Sequence, residues 1–206
     1  MENKEIEEIY NLTFGGLTLF YRDANLTENL ISKYEVGQIL LEKGFTDMSY
    51  KGGGITTNCR FLIASAFGKD VSSIMPETME FGRRMLKSSS CFKVLDIYRI
   101  DNKTQIFLLN IPESTIDFFQ NVTSNIEKDI TEKARESFDN KINLEPISEL
   151  QKKDWKDLTD FPIGMSDKGI FFYQSKEENP KSSQNNDTEK IKNVEVEKNK
   201  PWWKFW

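Results

Sequence analysis

The run from Cys91 to Asn110 constrains the fold more than any other part of the chain. It reads Cys-Phe-Lys-Val-Leu-Asp-Ile-Tyr-Arg-Ile, then Asp-Asn-Lys-Thr, then Gln-Ile-Phe-Leu-Leu-Asn. Two runs rich in β-branched and aromatic residues, joined by residues that tolerate tight turns, predict a β-hairpin. Simple alternation puts Phe92, Val94, Asp96, Tyr98 and Ile100 on one side and Lys93, Leu95, Ile97 and Arg99 on the other. Both sides carry apolar residues, so the ladder belongs inside a sheet.

The flanking sequence predicts further elements. Residues 3–10 suit a short acidic helix and residues 13–22 a strand bent at Gly15-Gly16. From Asn25 onward Leu30, Ile31, Tyr34, Ile39 and Leu41 suggest one helix, stopped at Lys43-Gly44. Short strands are expected at 45–50 and 55–65. Pro76, Glu77 and Glu80 open a helix that Arg83, Arg84 and Lys87 close, as the helix dipole favours. Ile116, Phe119, Val122, Ile126, Ile130, Ala134 and Phe138 recur at three- and four-residue spacing, the stripe of a long core-facing helix. Ser148-Glu149-Leu150-Gln151 matches a capping box before a shorter helix containing Trp155, and residues 170–173 suit a last strand. The sum is a single α+β domain over residues 1–174, with a mainly antiparallel sheet of four to six strands packed by the long helix.

Residues 175–200 carry mixed charge and almost nothing to bury, which predicts a disordered polyampholyte linker. Beyond it, residues 201–206 form an aromatic motif in which Trp202, Trp203, Phe205 and Trp206 crowd together. Three outcomes fit these side chains: folding back onto the domain, docking into a protein partner, and insertion at a membrane surface.

Composition limits the chemistry. The chain has no histidine, which removes the Ser-His-Asp triad, the Cys-His pair and imidazole metal sites. Cys59 and Cys91, its two cysteines, cannot by themselves build a structural zinc site and are expected as buried free thiols. With 28 basic against 33 acidic side chains, the net charge of −5 disfavours nucleic acid. The first residues lack a basic, apolar leader, so a cytoplasmic location is expected.

The sequence also offers one candidate anion site. Gly52, Gly53 and Gly54 follow a predicted strand, and Arg60, Arg83 or Arg84 could hold an anion there, with Cys59 or Cys91 as a thiol. The triplet lacks the Gly-Lys-Ser/Thr ending of a phosphate loop and precedes a strand, which favours a hairpin loop. The function expected from sequence is a non-enzymatic, acidic protein-interaction module using the Trp-rich tail, with no cofactor, metal or catalytic residue. An anion-binding, enzyme-like domain at the Gly52–Gly54 loop and peripheral membrane association are the alternatives.

Overall fold

The computed structural model describes residues 3–121 and 125–173. The linker and the aromatic tail lie outside the described residues. In chain order the elements are α1 (Asn3–Phe14), β1 (Thr18–Ala24), α2 (Glu28–Ile31), β2 (Ile39–Glu42), β3 (Thr46–Ser49), β4 (Cys59–Ser65), β5 (Lys69–Asp70) and a 3-10 turn at Pro76–Phe81. There follow β6 (Arg83–Leu86), β7 (Ser90–Ile100), β8 (Lys103–Ile111), a 3-10 turn at Glu113–Thr115, α3 (Ile116–Asn121), α4 (Asn125–Lys141), a 3-10 turn at Ser148–Gln151 and α5 (Lys153–Thr159).

The strands form one eight-stranded sheet in the order β2-β7-β8-β4-β1-β3-β6-β5. β4 and β8 pair in parallel, and the other ladders are antiparallel. The expected mainly antiparallel sheet of four to six strands is therefore corrected to a larger, mixed one. Two strands were hidden inside patterns that suggested helices. α2 ends at Ile31, and after a turn in which Gly37 takes the left-handed φ +88 the chain pairs with β7 as β2. Gly82, at φ +61, stops the Pro76–Phe81 turn, so Arg83–Leu86 emerges as a strand rather than a helix end.

Every residue of β4 is buried, and so is all of β8 after Lys103. Both faces of this parallel centre are covered, as near-continuous apolar runs require. On one face Phe61, Ile63, Ile106 and Leu108 pack with Phe20, Met48, Tyr34 and Ile163. On the other, Leu62, Ala64, Phe107 and Leu109 meet Phe119 and Ala134. Each large side chain so buried contributes about 1.5–3 kcal/mol.

The predicted hairpin forms between β7 and β8 with Ile100 opposite Lys103, which leaves a two-residue loop; Asp101 takes φ 52 there. A bulge between Val94 and Asp96 interrupts the alternation. Beyond it Asp96 faces the helices, where it accepts two bonds from Arg135 (2.8 and 2.6 Å), and Tyr98 meets Phe138 edge-on at 6.1 Å. Other boundaries also moved. The strand expected from residue 13 starts at Thr18, because α1 runs through Phe14. The expected capping box does not form: Ser148 Oγ donates to Glu149 Oε2. The last strand reduces to a single bridge, Met165 to Phe171.

β1 and β3 share just one residue pair, Tyr21 with Ser49. This narrow joint links β2-β7-β8-β4-β1 to β3-β6-β5, and α5 packs over it against β1 and β3. Among the described residues no helix is long and apolar enough to cross a membrane.

Candidate functional site

Three guanidiniums are withdrawn from water around this joint. Arg22 is the most deeply placed, at 1% exposure, because β1 alternates Phe20, Arg22 and Ala24 toward the core. Its Nε donates to Thr159 O (3.1 Å), its Nη2 to Phe161 O (3.2 Å) and its Nη1 to Asp47 O at the limit of bonding distance (3.5 Å). The Phe161 ring covers the guanidinium at 4.2 Å. Among the described residues no carboxylate forms an ion pair with Arg22. Desolvation lowers its pKa, and the more distant charges of Asp47 and Glu42 oppose that shift. Withdrawing an ion from water costs several kcal/mol even after relaxation, so a cation whose hydrogen bonds all go to neutral carbonyls is an expensive feature to build.

Two of those carbonyls, Thr159 O and Phe161 O, belong to a strap, residues 159–164, that begins at the last residue of α5. Tyr34 fixes it by donating from its hydroxyl to Ile163 O (2.8 Å) and accepting from Ile163 N (3.0 Å). Glu42 Oε2 accepts from Gly164 N at 2.8 Å, and Asp160 accepts from Asn25 N. Burial pushes the Tyr34 hydroxyl far up, so it stays protonated. Gly164 has φ +81, and a Cβ there would lie 2.8 Å from Leu40 Cβ, so this close turn requires glycine.

The residues of the anion site expected from sequence are placed differently. Arg60 is 2% exposed and forms a two-pronged bond to Asp23, 2.7 Å at each prong. It also donates to Gly53 O (3.0 Å) and Gly54 O (3.4 Å). The glycine loop thus turns oxygens toward a cation, whereas an anion cradle aims N–H groups at its ligand. Gly54 N is engaged by Glu145 O, and a Cβ on Gly54 would run into Leu144 O, which accounts for glycine here. A Cβ on Gly52 would meet the Tyr21 ring at 2.5 Å.

Arg83 donates to Asp47 Oδ1 at 2.7 Å, so Asp47 links Arg83 and Arg22. Arg84 instead pairs with Asp70 (3.0 Å) near the sheet edge and lies over Tyr50. The structure therefore connects Arg83 to Arg22 through Asp47, while Arg60 and Arg84 pair elsewhere. Cys59 and Cys91 are free and buried, and burial pushes both thiols up. Among the described residues no group of three or more metal-binding side chains gathers. Trp202, Trp203, Phe205 and Trp206 lie outside the described residues. Sequence reasoning missed Arg22; its one signal is a charge at the inward parity of Phe20-Tyr21-Arg22-Asp23-Ala24.

No family model matches the chain, and no curated protein matches it. Partial likenesses exist among solved structures. The type III effector XopAI from Xanthomonas axonopodis pv. citri aligns at 15% identity and TM-score 0.40, over 46% of this chain and 41% of that one. ADP-ribosyltransferase HopU1 of Pseudomonas syringae pv. Tomato DC3000 aligns at 19% and 0.40, over 46% of each. Exoenzyme S from Pseudomonas aeruginosa, solved with human 14-3-3 protein beta and bound to carba-NAD, aligns at 14% and 0.41, over 55% and 56%. The chain thus spans about half the length of each of these. These partial neighbours include ADP-ribosyltransferases, which departs from the non-enzymatic interaction module expected from sequence.

Proposed function

We propose that the joint beneath the strap is a binding site for an anionic ligand of the nucleotide class, in an enzyme-type domain, with Arg22 as the phosphate-facing group. One observation carries this: a guanidinium at 1% exposure whose hydrogen bonds all go to backbone carbonyls, two of them on the strap. A phosphate oxygen accepts charge-assisted bonds about twice as strong as those of a neutral carbonyl, so a phosphate competes well for the same donors. The Phe161 ring covers the guanidinium face on which a ligand's flat ring would stack. As it stands, the strap fills the site, and a ligand enters as residues 159–164 lift.

The carboxylates around the joint are engaged: Asp47 by Arg83, Asp23 by Arg60, and Glu42 by the N–H groups of Gly44 and Gly164. Arg22 is therefore given a binding role, and no general base is assigned.

Calorimetric titration of the full chain with carba-NAD tests the proposal. Phe161→Ala should bind at least about tenfold tighter than the unaltered chain, about 1.4 kcal/mol. Adding Arg22→Gln should abolish binding, and Arg22→Lys, which keeps the charge, should restore part of it. Circular dichroism establishes that each variant is folded. Equal affinity with and without Arg22, or no binding by Phe161→Ala, overturns the proposal.

A further inference from the structure

A second groove lies away from the strap, where the two parallel strands end. β4 and β8 run in register from Cys59 opposite Thr104 to Ala64 opposite Leu109, so their carboxyl ends lie together. Just beyond those ends Phe67 and Pro112 line a groove of about 550 Å³, within the range of small-molecule sites. In open α/β sheets ligands bind outside the carboxyl ends of parallel strands, and this groove takes the corresponding place at the β4–β8 pair. Leu86 and Ile111, both buried, complete the apolar lining.

Polar groups beneath this floor are satisfied from within. Ser65 Oγ donates to Asn110 Oδ1 (2.8 Å), and Asn110 Nδ2 donates to Cys91 O (2.9 Å). The groove can therefore offer an apolar surface without leaving these atoms unbonded. Two exposed cations, Lys69 and Lys87, line it, and among the described residues neither forms an ion pair. Glu113 is the sole carboxylate of the lining.

We propose that this groove is a ligand site for an aliphatic monocarboxylate, its chain on Phe67, Leu86, Ile111 and Pro112 and its carboxylate between Lys69 and Lys87. An apolar floor beside two unmatched cations selects a ligand with one anionic head and an alkyl body. A neutral alcohol of the same length fills the floor but gains nothing from the lysines. The site is independent of the strap and of Arg22.

Calorimetric titration of the full chain with octanoate and with octanol tests this. Octanoate should bind at least about tenfold more tightly than octanol. The double variant Lys69→Gln/Lys87→Gln, altered only at exposed positions, should lose that preference while octanol binding stays unchanged. Ser114→Trp, which narrows the groove from its exposed rim, should weaken both ligands. Circular dichroism and an unchanged carba-NAD titration separate these effects from misfolding and from the Arg22 site. Equal affinity for octanoate and octanol in the unaltered chain, no measurable heat from either at millimolar concentration, or a preference that survives the double substitution overturns the proposal.

Discussion

Asp23 and Arg60 form the joint's most complete ion pair, with both guanidinium prongs on one carboxylate and the remaining donors on Gly53 and Gly54. Removing one member of such a buried pair strands the other charge and typically costs 3–5 kcal/mol. Asp23→Asn should therefore lower the stability read from urea denaturation by about 3 kcal/mol, and a loss below about 1 kcal/mol would contradict the assignment. A second residue-scale prediction concerns alkaline pH. Burial holds the Cys59 thiol and the Tyr34 hydroxyl above their ordinary values of 9.0 and 10.0. Above pH 9 for the thiol and above pH 10 for the hydroxyl, the unfolded chain releases the proton that the folded chain retains, so stability is full below pH 9 and falls as pH rises. Each group contributes up to about 1.4 kcal/mol per pH unit once past its unfolded pKa. Urea midpoints at pH 7 and 10.5 should differ accordingly, and a flat profile would show that neither group is held protonated. Arg83 and Arg84 were visible in the sequence as a basic pair. Their roles were not, because a single left-handed glycine, Gly82, converts a helix end into a strand and sends the two side chains to different partners.

At the scale of elements, the strap is the least legible piece. The sequence shows residues 161–169 as turn-rich, but no local pattern tells that Thr159 and Phe161 place their carbonyls on a side chain more than 130 positions earlier. Its closure depends on Gly164. Alanine there meets both a left-handed φ, which costs about 1–2 kcal/mol, and the Leu40 side chain. Gly164→Ala should thus destabilise the chain by at least about 1 kcal/mol in urea and loosen the strap enough to strengthen carba-NAD binding; a variant as stable as the original would show that the turn does not need glycine. The hairpin shows the opposite case. Its two runs and its turn were evident from residue types, whereas the bulge between Val94 and Asp96 was not, since alternation assigns faces only while the register is unbroken. That slip brings Asp96 to Arg135.

For the whole molecule, the structure shows β4 and β8 paired in parallel and covered on both faces, where a mainly antiparallel sheet was expected; their apolar runs were visible in the sequence. Which runs pair was not, because a ladder between distant strands leaves no local periodicity. β4 and β8 amides should be among the slowest to exchange with deuterium, and α1 amides, on a largely exposed helix, among the fastest. Faster exchange in β4 than in α1 would contradict the central placement of the parallel pair. The joint between β1 and β3 rests on one residue pair, and the strap lies over it, so ligand binding there should be read most clearly in the strap's own hydrogen bonds. Deuterium exchange of the Ile163 and Gly164 amides, with and without saturating carba-NAD, measures this directly. Lifting of the strap requires both amides to exchange faster when ligand occupies Arg22, because Tyr34 and Glu42 then lose the backbone they hold. Ligand binding that leaves these two amides as protected as before would contradict it.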